Sequence, residues 1–138
     1  MSLFRRKTPS PVARSWKITR KCLDLIVESS KSNYPKEFGA LLRVDRVEKN
    51  TIAEVVLLPG TISGDSHAIF YLHMLPIDYS IVGTVHSHPS AVSRPSDADL
   101  DLFNHFGRVH LIIGVSSSGY ISWNAYDYRG NAMTVEVV

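Results

Sequence analysis

A chain of 138 residues with 44% hydrophobic and 20% charged side chains is long enough for one buried core and too apolar to be disordered throughout. Its one cysteine, Cys22, excludes an intramolecular disulfide and every zinc site built from several thiolates, the cysteine-ligated deaminases included. The net charge of +2 hides an asymmetry: seven of the 15 basic residues lie within the first 21 positions, while all 13 acidic residues come later.

Residues 1–14 contain Pro9, Pro11 and the basic Arg5, Arg6, Lys7 and Arg14. They read as a flexible arm ahead of a single domain at 15–138. Such an arm either stays solvated or touches an acidic partner, nucleic acid included. A secretory signal needs a long apolar stretch after its basic residues. Lys7-Thr8-Pro9-Ser10-Pro11 stands there instead, so no signal peptide is expected. No apolar run is long enough to span a bilayer, and a lone cysteine suits a reducing compartment. The expected location is the cytoplasm.

Trp16 to about Ser30 reads as a helix, with Ile18, Cys22, Leu25 and Ile26 on one apolar stripe. Cys22 is expected there as a small buried side chain. Ser32-Asn33-Tyr34-Pro35 ends the helix. Phe38–Val44 and Thr51–Leu58 are expected strands of a hairpin turned at Lys49-Asn50. Ala68–Leu72 is a further short strand, and Pro76–Tyr79 belongs to a short helix. Ile81–His88 is rich in β-branched residues and reads as a strand. Alternation points Val82, Thr84, His86 and His88 one way and Ile81, Gly83, Val85 and Ser87 the other. Pro89–Pro95 is a loop, and Ser96 caps a helix that runs to about Phe106. Val109–Val115 is a buried strand. Gly119–Tyr126 and Ala132–Val138 form a closing hairpin around Arg129-Gly130-Asn131. Strands with helices between them predict an α/β class chain: a single-domain α/β sandwich with a curved mixed sheet flanked by helices.

The chemistry concentrates in His86-Ser87-His88-Pro89, followed after seven residues by Ser96-Asp97-Ala98-Asp99. Two histidines one residue apart share a face of a strand, and an acid from the next element can complete a set of three metal ligands. Three protein ligands with one open position is the arrangement of a catalytic zinc. His-x-His alone recurs by chance, but requiring Ser96 and Asp99 at fixed downstream positions lowers the chance to the order of 10⁻³. Local roles also exist for these residues. Ser96-x-x-Asp99 is a capping-box variant, and the histidines could make ordinary hydrogen bonds. The two sets of roles coexist, because a serine that caps the helix also fixes where Asp99 points. A hydrolytic zinc also needs a base for its water. Glu37, ahead of the apolar Phe38-Gly39-Ala40-Leu41-Leu42, is the candidate; an acid at a sheet end can equally be merely solvated.

Glu37, His86-Ser87-His88-Pro89 and Ser96-x-x-Asp99 together resemble the JAMM signature of the MPN-domain metallopeptidases, in their compact prokaryotic form. Tyr34-Pro35-Lys36-Glu37-Phe38-Gly39 looks like the stretch around that family's catalytic glutamate, and the resemblance covers about residues 17–137. It implies an MPN fold, related to the cytidine deaminases, and one Zn2+ per chain held by His86, His88 and Asp99. It implies Glu37 as the general base and Ser96 as donor to the oxyanion. Ser87, on the opposite face, would support the site from behind. The implied substrate is the bond after the C-terminal tail of a ubiquitin-like or sulfur-carrier protein. Only nine residues separate Asp99 from Val109, so the second-zinc loop of eukaryotic linkage-specific deubiquitinases has no room. A non-enzymatic MPN scaffold is the alternative, although scaffold members usually lose zinc ligands that this chain keeps. The basic arm raises a second alternative, a nucleic-acid-associated role like that of RadC relatives.

Overall fold

Residues 15–57, 78–105 and 107–138 are described by the computed structural model. The basic arm, the expected Ala68–Leu72 strand, His67, His73, Leu58 and Phe106 lie outside them. The order is β1 (Trp16–Ile18), α1 (Arg20–Asn33), β2 (Gly39–Val44), β3 (Thr51–Val56) and β4 (Ile81–His88), then α2 (Asp97–His105), β5 (Val109–Val115), β6 (Ile121–Tyr126), β7 (Ala132–Met133) and β8 (Val135–Val137). Of the short helix expected at Pro76–Tyr79, only Asp78 and Tyr79 are described, and they lead into β4 through a turn.

The strands form one mixed sheet in the order β7-β6-β5-β4-β2-β3-β1-β8. Its two end strands, β7 and β8, are separated in the chain by Thr134 alone. The sheet therefore curls until its edges nearly meet. The expected α/β class with a curved mixed sheet is the observed one. Parallel neighbours need a crossover, and α2 supplies it between β4 and β5.

Three local expectations are corrected. Trp16–Ile18 is a strand, not the first turn of the helix, and it pairs in parallel with both β3 and β8. Thr19 separates the two elements: its backbone is extended, and its hydroxyl accepts the Cys22 N–H at 3.1 Å as an N-cap. The buried face of α1 is Cys22, Leu23, Ile26 and Ser30, whereas Leu25 is 52% exposed. The closing hairpin holds only where β6 meets β7, at Ala125↔Met133 and Tyr126↔Ala132. Beyond Thr134 the chain leaves that edge and β8 pairs with β1.

The third correction concerns β4. Its register against β2 shifts between Leu42↔Gly83 and Arg43↔Ile81, which leaves Val82 as an extra residue. Val82 consequently packs with Val85, while Ile81 joins Leu41 and Leu102 on the other side. From Gly83 to His88 the alternation holds as expected.

The two faces of the sheet differ in kind. One face carries Ala40, Leu42, Val85, Leu111, Ile113 and Ala125 and packs under α1 through Cys22, Leu23 and Ile26. Full burial of one such aliphatic side chain contributes about 1.5–3 kcal/mol. The other face lies under α2 and is largely polar around His86.

Candidate metal centre

Register places the α2 face in three rows across four strands. The first is Ser122, Gly114 and His88; the second is Asn124, Ile112, His86 and Gly39; the third is Tyr126, His110, Thr84 and Leu41. Glu37 lies two residues ahead of Gly39, just before β2 begins at the end where Gly39 pairs with His86. Ser87 on the reverse face locks that pairing. Its hydroxyl accepts the Phe38 N–H at 2.8 Å, and its own N–H donates to the Phe38 carbonyl at 2.9 Å.

Asp99 arrives from above. The Asp99 N–H donates to Ser96 Oγ at 3.2 Å, and the Ser96 N–H donates back to Asp99 Oδ2 at 2.7 Å. This reciprocal cap, with the Leu100 N–H on the Ser96 carbonyl at 3.0 Å, fixes the start of α2 and the aim of the carboxylate. Asp99 Oδ1 lies 2.7 Å from His86 Nε2, and Oδ2 lies 3.0 Å from His88 Nε2. One donor atom from each of His86, His88 and Asp99 falls within 4.8 Å of the others. Two neutral imidazoles and one carboxylate make a nitrogen–oxygen donor set suited to Zn2+.

The environment fits a cation. His86 is 2% exposed, and neither of its ring nitrogens has an aligned hydrogen-bond partner among the described residues. A buried polar atom left so is costly unless something else satisfies it. His86 Nε2 approaches Asp99 closely but out of line for an N–H···O bond, as two lone pairs directed at a shared third atom would. Burial pushes the Asp99 carboxyl up, but the adjacent His86 and His88 imidazoles and the Ser96 N–H outweigh it and hold the group well below the usual carboxylate range. The hydrogen bond to Asp99 raises His88 above its ordinary value against the opposing effect of burial. The charges of Asp99 and Glu37 and a backbone hydrogen bond with Val92 add to that rise. Glu37 is thus near enough for its charge to be felt at the cluster, and it remains partly accessible to solvent.

His105, His110 and Cys22 stand apart. His105 is exposed on the far turn of α2 with Nδ1 on the Asp101 carbonyl. His110 is fully buried one row deeper, 2.8 Å from Thr84 Oγ1 and stacked on Phe103 at 4.2 Å. Cys22 is buried on α1 as expected; burial, then the charge of Glu54, pushes its thiol up to about 11, which leaves it a poor nucleophile.

Sequence reasoning missed the support of the Pro89–Pro95 loop. Ser122 Oγ donates to the Ala91 carbonyl at 2.7 Å, Asn124 Nδ2 to Ser93 Oγ at 2.6 Å, and Tyr126 OH to the Ser93 carbonyl at 2.8 Å. Gly114 lets the loop approach: a Cβ there would meet Ser122 Oγ at 2.7 Å and the Ser90 carbonyl oxygen at 2.8 Å. The alternating polar residues 122, 124 and 126 were a visible signal of a polar strand face, but their partners were not.

The family follows from comparison with known proteins. Residues 19–126 match the model for prokaryotic homologues of the JAB domain, and the chain belongs to that family. A curated Haloferax volcanii protein named "Probable metalloprotease" is 38% identical, over 100% of this chain and 85% of its own length. A solved JAB1/MPN domain protein of Archaeoglobus fulgidus is 36% identical with a TM-score of 0.69, covering 90% of this chain and 98% of its own. The structure reported as "JAMM: A Metalloprotease-like Zinc Site in the Proteasome and Signalosome" is 35% identical, also with a TM-score of 0.69, over 91% and 99% of the two chains. The chain is therefore a member of the JAMM/MPN metallopeptidase family with a three-residue cluster able to hold a metal ion.

Proposed function

We propose that this protein is a cytoplasmic zinc-dependent peptidase or isopeptidase that hydrolyses the bond after the C-terminal tail of a ubiquitin-like or sulfur-carrier protein. The observation that carries the reading is the convergence of His86, His88 and Asp99 at a sheet end, with Glu37 just ahead of the neighbouring strand β2. His86, His88 and Asp99 would hold one Zn2+ per chain. Bound there, zinc supplies Lewis acidity to a water and to the scissile carbonyl.

The chain's own residues do the rest. Glu37 accepts the proton of the attacking water on its carboxylate and returns it to the leaving amine nitrogen. Ser96 Oγ already accepts the Asp99 N–H. A hydroxyl is one donor and two acceptor sites, so its O–H stays available for the carbonyl oxygen as negative charge builds there. Ser87 keeps the Glu37 end of β2 against β4 and so holds the base beside the ligands. The metalloprotease-like zinc site reported for the proteasome and signalosome supports the choice of a ubiquitin-like partner.

The test incubates the zinc-loaded full chain with ubiquitin-like and sulfur-carrier proteins that bear C-terminal extensions, and reads intact masses. The expected product has lost everything after the tail. A preparation holding one zinc per chain that cuts none of them overturns the substrate class; a chain that retains no zinc overturns the metal centre.

A further inference from the structure

The two halves of the ligand set are joined by the seven-residue loop Pro89–Pro95, with His88 before it and the Ser96–Asp99 cap after it. A loop of that length, left untethered, samples many conformations. Metal ligands need their orientation fixed from outside as well as their identity. β6 tethers this loop at two residues. Ser122, Asn124 and Tyr126 share a strand face, and their side chains hold the Ala91 carbonyl, the Ser93 hydroxyl and the Ser93 carbonyl at 2.6–2.8 Å. Ser93 is 4% exposed, while its neighbours Ala91, Val92 and Arg94 are exposed, so it is the point where the loop is plugged into the sheet. Ala91 and Ser93 lie three and five residues after the ligand candidate His88. Three residues after Ser93, the Ser96 N–H holds Asp99 Oδ2.

We propose that the Ser122–Asn124–Tyr126 face of β6 is a positioning rail for the metal centre: by pinning Ala91 and Ser93 it fixes the loop between His88 and the Ser96 N–H that holds Asp99. The inference rests on the reading that His86, His88 and Asp99 hold a metal. None of the three rail residues belongs to the His86–His88–Asp99 cluster; they act through the loop. Their polarity is otherwise unexplained. The opposite face of β6, with Ile121, Trp123 and Ala125, is apolar and packs into the core beneath α1.

The experiment measures Zn2+ affinity by chelator competition, and the visible spectrum after Co2+ loading, on the full-length chain. The variants are Tyr126→Phe, which keeps the ring beside Phe103 and removes only the hydroxyl, and Asn124→Ala at an exposed strand position. Ile26→Val, beneath the other face, is the control for general loosening. Each rail variant is expected to weaken Zn2+ binding by about 10-fold, the range for groups that support ligands, and to alter the Co2+ ligand-field bands. The control leaves both unchanged. Rail variants with wild-type affinity and an unaltered spectrum overturn the inference, as does a control that weakens the metal equally. A wild-type chain that binds neither ion instead overturns the metal centre itself.

Discussion

The two faces of the central sheet are built from the same strands, yet they do different work. Under α1, the side chains of β2, β4, β5 and β6 are apolar apart from Ser87, and the apolar ones need no specific partner. Under α2, the intervening residues are His86, His88, Thr84, His110, Asn124 and Tyr126, and most are tied to a named atom on another element. Apolar burial is non-directional and tolerates small shifts, whereas a buried polar network loses most of its value when one member moves. The α1 face therefore supplies stability to a face whose polar content costs stability and confers chemistry.

Substitutions should separate the faces cleanly. The largest effect belongs to the α2 side: Glu37→Gln is expected to lower turnover by about 10²–10⁴-fold, the usual worth of a general base. Zinc content by metal analysis should stay at one per chain; normal hydrolysis by the variant would remove Glu37 from the reaction. Next comes Ser96→Ala, with a fall in kcat of about 10²–10³ if the hydroxyl stabilises the oxyanion and a loss of about 0.5–2 kcal/mol from the helix cap. Thermal unfolding alongside steady-state kinetics distinguishes the two roles. A normal kcat with a lowered Tm would leave Ser96 a cap alone.

Acidity acts on the same face with opposite signs for the metal-free and metal-loaded chain. His88 is raised by its hydrogen bond to Asp99. Its contribution to the metal-free fold is thus complete below the ordinary histidine value and is lost as pH rises through the raised one. Asp99 is lowered overall, so its contribution is present above the ordinary aspartate value and lost only as pH falls through the depressed one. Zinc needs His88 neutral. Apparent Zn2+ affinity should therefore begin to fall already above pH 6.5, the unperturbed histidine value, while the Tm of the metal-free chain rises over the same descent. Chelator competition and thermal melts across about pH 5–9 check both signs; parallel pH trends would break the proposed coupling of His88 to Asp99.

The smallest expected effect lies on the other face. Ile26→Val, at a fully buried position on α1, should cost about 0.5–1.5 kcal/mol of stability in denaturant unfolding and leave kcat and metal content unchanged. A change in either would mean that the two faces are coupled more tightly than their chemistry suggests.

Much of the centre was legible because its residues are close in sequence or locally patterned. His86 and His88 share a face by strand alternation alone, and Ser96 with Asp99 forms a cap within one helical turn. The misreadings all concern choices settled at long range. Trp16–Ile18 has the same apolar residues whether it opens a helix or pairs with β3 and β8. Val135–Val137 suits the near edge of the sheet as well as the far one. Val82 breaks its strand's alternation only because β2 imposes a bulge.

By itself, the sequence determined the mixed α/β class, the single domain, the family signature and the identity of the three residues able to bind a cation. Those depend on composition, short-range periodicity and spacing, which need no knowledge of what lies across the sheet. Only the tertiary structure decided that the sheet curls nearly shut, that β2, which follows Glu37, pairs beside the strand of His86 and His88, and that β6 anchors the loop between the ligands. Such facts depend on strand register and edge choice, and these arise from backbone pairing between segments distant in the chain, where many arrangements of the same local pattern compete until the whole core is packed.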